Sequence, residues 1–474
     1  METISKEEMD FDRKHYLHLQ YADEEWVPIP VVRAEGCYLY GPNGEAYLDF
    51  MSQLECVNIG YSHPKVAQAI AECAKTLSYC TEAFLHPYRP KVCKLLLEGL
   101  GLGEWAGKLR FLSSGSEAVE FAIALAKLYT NKRIVIARGP YSYHGWTGGV
   151  LPFLRIRWFA NSFPSAKEKG DVRYVPRLYD PPLVPAPRCF RCPLGYEYPD
   201  CKTNGMLACV RVTKTIIEAY YPDTDVAALI AEVAFGAGGN IVPPPEYWPQ
   251  MYNVLKRYKV LWIDDEVICG FGRTGKWFAY QHWEGLKPDL MTFAKGFTSS
   301  AAPGAGVAIS KEISEWLSVR RSFSVATYGA HPLALAAAYA NIVAMKDLKI
   351  LEHVNKMGKY LEEKLKMLED NHKCAMYPGG WGLMSGLELV RNKETKEPII
   401  RDEIFYEYSG DISNVPVVVF TVECLKRGLI CGGWSLNGVR ICPPLVITES
   451  EIDKGISVID EVLGIIDKRY YAPS

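Results

Sequence analysis

No part of this sequence is basic enough to act as a nucleic-acid surface. Lys and Arg number 53 against 55 Asp and Glu, a formal net charge of −2, and a polyanion site needs a basic excess gathered on one face. An apolar h-region is missing from the start: Met1 to His15 is rich in charge, so no secretory signal is expected. Long apolar runs are missing as well. The longest, Leu333 to Met345, is too short to span a bilayer. Internal repeats and low-complexity segments are absent. Together these absences exclude nucleic-acid and membrane partners from the reading and lead us to expect a cytoplasmic protein.

Cysteine is not scarce, at 14 residues, but without a signal segment free thiols are the default. Ten lie among apolar neighbours, where Cys acts as a small hydrophobe. Cys189, Cys192, Cys201 and Cys209 stand apart as a cluster with one CxxC pair. Such a set can hold zinc or an iron–sulfur cluster, remain as unbridged thiols, or form disulfides. The spacing after the first pair matches no standard finger.

What is present is ordinary for a soluble enzyme: 474 residues, 49% hydrophobic and 23% charged. This length allows two or three domains. Arg133–Ala137, Ala227–Val233, Val260–Val267 and Leu290–Ala294 read as buried strands separated by segments of helical period. That pattern predicts an α/β protein with helices on a mainly parallel sheet. Glu117–Tyr129 is predicted helical, with Ser114-Gly115-Ser116-Glu117 opening it at capping-box spacing. Residues from about 171 to 209 read as an ordered insertion or long loop without clear period. A second α/β unit starts after about His331. It ends in a strand over Gly438–Cys442, the pair Pro443-Pro444, and a helix capped by Thr448 and Glu451 with Ile452, Ile456, Ile459, Leu463 and Ile466 buried.

Three features point to one chemistry. Trp262-Ile263-Asp264-Asp265-Glu266-Val267 is a strand whose end turns acidic. Thr292-Phe293-Ala294-Lys295-Gly296 is a strand ending in a lysine. Ser114-Gly115-Ser116 is a helix start able to hold a phosphate. Ligand sites in open α/β sheets lie at carboxyl strand ends. Pyridoxal phosphate needs a lysine for its Schiff base, a carboxylate to keep its pyridine nitrogen protonated, and a phosphate seat. Singly, each feature has an ordinary explanation as a capping residue, a solvated lysine or a plain helix cap. Their conjunction in this order is what carries the reading.

With Ser113-Ser114-Gly115-Ser116-Glu117-Ala118, Tyr143-His144-Gly145, Asp265-Glu266-Val267, Gly270-Phe271-Gly272-Arg273-Thr274-Gly275, Ala294-Lys295-Gly296 and Pro443-Pro444-Leu445 in view, the chain resembles the class III, or omega, aminotransferases of pyridoxal-phosphate fold type I. The resemblance runs from about Pro28 to Lys468. It implies a large cofactor domain over 81–331 and a small domain built from 1–80 and 332–474. It implies that Lys295 is the Schiff-base lysine and proton shuttle, and that Asp265 pairs with the pyridinium nitrogen. Tyr143 and Val267 would press on the ring's two faces, with His144 and Glu232 nearby, and Ser114, Gly115 and Ser116 would hold the phosphate. Thr327 would reach the phosphate of a partner subunit, which implies a homodimer with shared sites.

Substrate residues follow from the same resemblance. Arg440 matches a carboxylate-binding arginine, and Leu54 and Glu55 fall in the substrate pocket. Glu55 is unusual there, because an aromatic residue is common at that position. It either receives a second cation on a diamine donor or pairs with a local arginine or lysine. Many glutamate-dependent members carry a second glutamate at the position of Ala237. Its absence leads us to expect that Arg440 moves aside or stays exposed to the amine substrate and that pyruvate is preferred as acceptor. The expected reaction is transfer of an amino group from an amine or omega-amino acid to a keto acid, with amino-acid racemisation on the same cofactor as the alternative.

Overall fold

The computed structural model describes residues 4–18, 28–139, 141–153, 179–220, 225–321, 323–401, 412–433 and 435–471. Its centre is a seven-stranded sheet in the spatial order Ala106–Leu112, Ala305–Ser310, Leu290–Phe293, Leu261–Asp265, Val226–Ala231, Ile134–Gly139, Leu183–Pro185. Ala305–Ser310 runs antiparallel to both its neighbours, and the remaining pairs are parallel. Val226–Ala231 is buried at every position, as expected of a strand covered on both faces. The four predicted strands are all found, with ends moved by no more than two residues.

The helix Gly115–Thr130 lies on this sheet and buries Val119, Phe121, Ile123 and Leu125. Each such side chain contributes about 1.5–3 kcal/mol. Ser114 caps the helix, its Oγ accepting from the Glu117 amide at 3.2 Å. In the predicted insertion, residues 171–178 lie outside the described residues. Its later part supplies the edge strand Leu183–Pro185, which sequence analysis missed because three residues are too few to show a period.

The two ends of the chain meet. Arg33–Glu35, Tyr38–Tyr40 and Ala46–Asp49 form a sheet that Leu429–Ile430 joins in parallel. Ser385–Asn392 pairs antiparallel with Gly438–Ile441, which places Glu388 opposite Gly438 and Gly386 opposite Arg440. The final helix, Glu449–Tyr471, has the expected Thr448–Glu451 cap and buried isoleucine stripe. At Gly455 it crosses Phe50 so closely that a Cβ would lie 2.0 Å from the ring, so only glycine permits this crossing.

The insertion is fastened to this end of the molecule. Arg188 donates to Glu388 Oε1 at 2.5 Å and Arg191 donates to Glu388 Oε2, with the Glu388 and Arg188 side chains each only 6% exposed. Among the described residues no helix is long and apolar enough to cross a membrane.

Candidate active site

Asp265 ends the strand Leu261–Asp265, Glu232 follows Val226–Ala231, and Lys295 follows Leu290–Phe293. These are three adjacent strands, so all three groups emerge at the carboxyl edge of the sheet. A cavity of about 180 Å³ lies there, lined by Ser114–Ser116, Tyr143–Gly145, Glu232, Asp265, Val267, Ile268, Ala294 and Lys295. The Asp265 carboxylate is held from three sides: by His144 Nδ1 at 2.7 Å, by Thr292 Oγ1 at 3.1 Å and by the Val267 amide at 3.1 Å. Asp264 and Glu266 alternate to the opposite side of Asp265 and are fully buried. Burial pushes both of their carboxyls up, Asp264 well up with Glu266 adding to it. Glu232 is also raised by burial, while its oxygens accept from the amides of Gly236 at 2.8 Å and Tyr143 at 3.3 Å.

The start of helix Gly115–Thr130 faces the same cavity. The Glu117 and Ala118 amides are taken by Ser114, which leaves those of Gly115 and Ser116 at the free end of the helix dipole, where an anion is favoured. Lys295, in the wall of this cavity, donates from Nζ to the Leu54 carbonyl at 2.6 Å and to Glu55 Oε2 at 3.4 Å.

Glu55 joins this cavity to Arg440. Its other oxygen, Oε1, lies 2.6 Å from Arg440 Nη1, with both side chains 2% exposed. The expectation that Arg440 must move aside or stay exposed is therefore corrected: with alanine at 237, a carboxylate from a different segment meets it in place. Of the two readings of Glu55, the one present here is pairing with local cations. Burial lowers the Arg440 pKa, and Glu55 opposes that effect. The turn that carries Glu55 is contorted, with φ of 47° at Ser52, 57° at Gln53 and 53° at Glu55. It is fixed by Asp49, which accepts from the amides of Met51 and Gln53 at 2.9 Å each, and by Ser52 Oγ, which donates to the Cys442 carbonyl at 2.6 Å and accepts from Arg273 at 3.2 Å.

The pattern that defines aminotransferase class-III matches residues 20–463. The chain belongs to the class III aminotransferases. Among proteins similar to it, a putrescine–pyruvate aminotransferase of Pseudomonas aeruginosa is 32% identical, over 91% of this chain and 90% of its own. A leucine/methionine racemase of Thermococcus litoralis is 30% identical, over 94% and 92%. The solved S-selective transaminase from Bacillus megaterium is 35% identical with a TM-score of 0.89, covering 98% of this chain and 99% of that one. The fold is accordingly fold type I, and the protein is an enzyme of this class.

Class III aminotransferases use pyridoxal phosphate, and the cavity fits it. It offers free helix-start amides, a buried carboxylate and a lysine around one space. Its walls also leave no room for extra side-chain atoms: a Cβ on Gly145 would lie 2.4 Å from Ser116 Oγ, and one on Gly115 would lie 3.3 Å from both Val267 methyls.

Other predicted residues in this class III enzyme fall elsewhere. Leu54, half exposed, enters the site through its carbonyl. Thr327 does not line the cofactor cavity. With Tyr79, Glu82 and Arg110 it lines a second cavity of about 760 Å³. The clustered cysteines are close enough for one thiol to raise another. Burial, aided by its neighbours, pushes Cys189 up to about 11 and Cys209 up to about 12. None is in a disulfide, and among the described residues no three His, Cys, Asp or Glu are placed to hold a metal. Sequence analysis missed Thr292, whose signal was a lone polar residue inside an apolar strand, and Ser52 and Asp49, which gave no local signal.

Proposed function

We propose that this enzyme transfers an amino group from an amine or omega-amino acid to a keto acid, pyruvate in particular, with Lys295 as the covalent attachment point and proton carrier. The observation that carries the reading is the convergence of Lys295, Asp265 and the Gly115–Ser116 amides on one cavity, with a buried arginine one residue beyond it. Pyridoxal phosphate, when bound, supplies the electron sink that loosens a proton at the substrate's Cα.

The chain's own groups do the rest. Gly115 and Ser116 bind the phosphate. His144, Thr292 and the Val267 amide hold Asp265 in place, where it would face the pyridine nitrogen of the cofactor. Lys295 Nζ would carry the proton released at the substrate's Cα, and where it is returned separates transamination from racemisation. Arg440 binds the keto-acid carboxylate, a pairing suited to a planar guanidinium. Pyruvate as acceptor is supported by the putrescine–pyruvate relative.

Racemisation is the second reading, favoured by the similarity to a leucine/methionine racemase. A panel of amines with pyruvate or 2-oxoglutarate, followed by chiral analysis, tests both. Keto-acid-dependent formation of L- or D-alanine supports transfer. Inversion of a single amino acid without any acceptor overturns it. A higher kcat/KM for 2-oxoglutarate than for pyruvate removes the acceptor assignment alone.

We further propose a homodimer in which Thr327 serves the cofactor site of a second copy. Phe84, Leu85, Val325 and Tyr328 are 66%, 75%, 95% and 60% exposed, apolar side chains that a second copy would cover. Light scattering should give twice the chain mass, and Thr327→Ala should weaken cofactor retention. A stable, fully active monomer would overturn the assignment.

A further inference from the structure

Arg440 is a fully buried cation, and a buried charge left alone costs several kcal/mol. It therefore needs a carboxylate at every stage of a reaction whose two substrates differ in whether they bring one. Glu55 supplies it here at 2.6 Å. Its second oxygen meets Lys295, so one carboxylate bridges the two cations of the site. Once Lys295 is committed to the cofactor, Arg440 is the cation that remains for it.

The segment around Glu55 is built so that the side chain can move while the backbone stays. Asp49 and Ser52 tie down the amides and the hydroxyl of the turn. Backbone angles as unfavourable as those of Ser52 and Gln53 persist only where surrounding structure imposes them, and they cluster at functional sites. The strain places a glutamate, with three rotatable side-chain bonds, against the guanidinium.

We propose that Glu55 is the displaceable internal counter-ion of Arg440: it neutralises the arginine while a donor lacking a carboxylate is bound, and swings aside when a keto acid delivers its own carboxylate. The proposal rests on the reading of Arg440 as the carboxylate site. It makes Glu55 a specificity-determining residue, which lets one pocket accept a neutral-ended amine and an anionic acceptor in turn.

Calorimetric titration of the holoenzyme with propionate, an unreactive monocarboxylate, tests this without turnover. Glu55→Gln removes the internal competitor and should tighten propionate binding about tenfold, equivalent to ~1.4 kcal/mol. In steady state the same variant should lower KM for the keto acid and raise it for a carboxylate-free amine. Glu55→Asp keeps the charge but shortens its reach, so its propionate affinity should fall between wild type and Glu55→Gln. It serves as the test if Glu55→Gln does not hold cofactor. Unchanged or weaker propionate binding in a folded, cofactor-loaded Glu55 variant overturns the proposal. Arg440→Ala separates the two readings. Loss of propionate binding there, with no tightening in the Glu55 variants, overturns the counter-ion alone. Unchanged binding in Arg440→Ala removes the carboxylate site and the counter-ion together.

Discussion

At the cofactor end of this site, every group is delivered by regular structure: Glu232, Asp265 and Lys295 from the ends of adjacent strands, Gly115 and Ser116 from a helix start. At the substrate end, Glu55 comes from a turn with three positive φ values, and Arg440 from a short strand near the other end of the chain. The cofactor end repeats a plan set by sheet geometry. The substrate end depends on irregular backbone held by Asp49, Ser52 and Arg273. On the proposed reading, regular structure holds the cofactor, which stays the same, and the irregular turn carries the group that responds to what enters.

If this division holds, substitutions at the two ends should fail differently. Lys295→Ala should have the largest effect, a loss of at least ~10³-fold in turnover, on the scale of removing a general acid–base group. It should also abolish the borohydride-sensitive absorption band expected of the cofactor-loaded wild type. Retention of that band would move the attachment elsewhere.

Asp265→Asn comes next. A pair of unit charges at ~4 Å and effective dielectric ~20 is worth about 4 kcal/mol, so activity should fall about 10³-fold while the cofactor stays bound. Near-normal turnover would place the ring's counter-charge elsewhere.

A milder break at the other end is Ser52→Ala. It leaves the Cys442 carbonyl and Arg273 short of a partner, at a cost of about 1–3 kcal/mol. The KM for keto acid should rise about tenfold, with cofactor absorbance unchanged. Loss of cofactor instead would show that the two ends are not separable.

The smallest effect concerns the floor beneath Asp265. Asp264 is fully buried and its folded pKa is raised, so its stabilising protonated state is complete below the ordinary aspartate value of about 4 and is lost as pH rises through the folded value. Glu266 titrates in the same direction, its folded value pushed up by burial to about 7. Thermal melts should therefore show Asp264→Asn gaining on wild type between pH 5 and pH 8, by at least ~3 °C. A gap that does not change with pH would show that Asp264 carries no excess proton.

The same division explains what could be read in the sequence. Asp265 and Lys295 stood at the ends of apolar strands, and Ser114–Ser116 at a capped helix start. Each follows from a local pattern, and the sheet brings them together. Glu55 was visible as an odd residue in a pocket position, but its partner was not. Its pairing with Arg440 depends on positive φ values at Ser52 and Gln53, residue types that give no warning of such backbone, and on contacts spanning nearly the whole chain. The edge strand Leu183–Pro185 and the role of Thr292 were hidden for similar reasons, one too short for periodicity and the other set by register across strands.

The buried Arg188–Glu388–Arg191 contact has a consequence for how this enzyme can vary. Glu388 lies two residues from Gly386, the register partner of Arg440, so one of the anchors of the cysteine-bearing insertion sits on the strand paired with Arg440. A change in the insertion's length cannot be absorbed as a loose surface loop would absorb it. It would bear on the strand paired with Arg440, which links the length of the insertion to the position of that arginine.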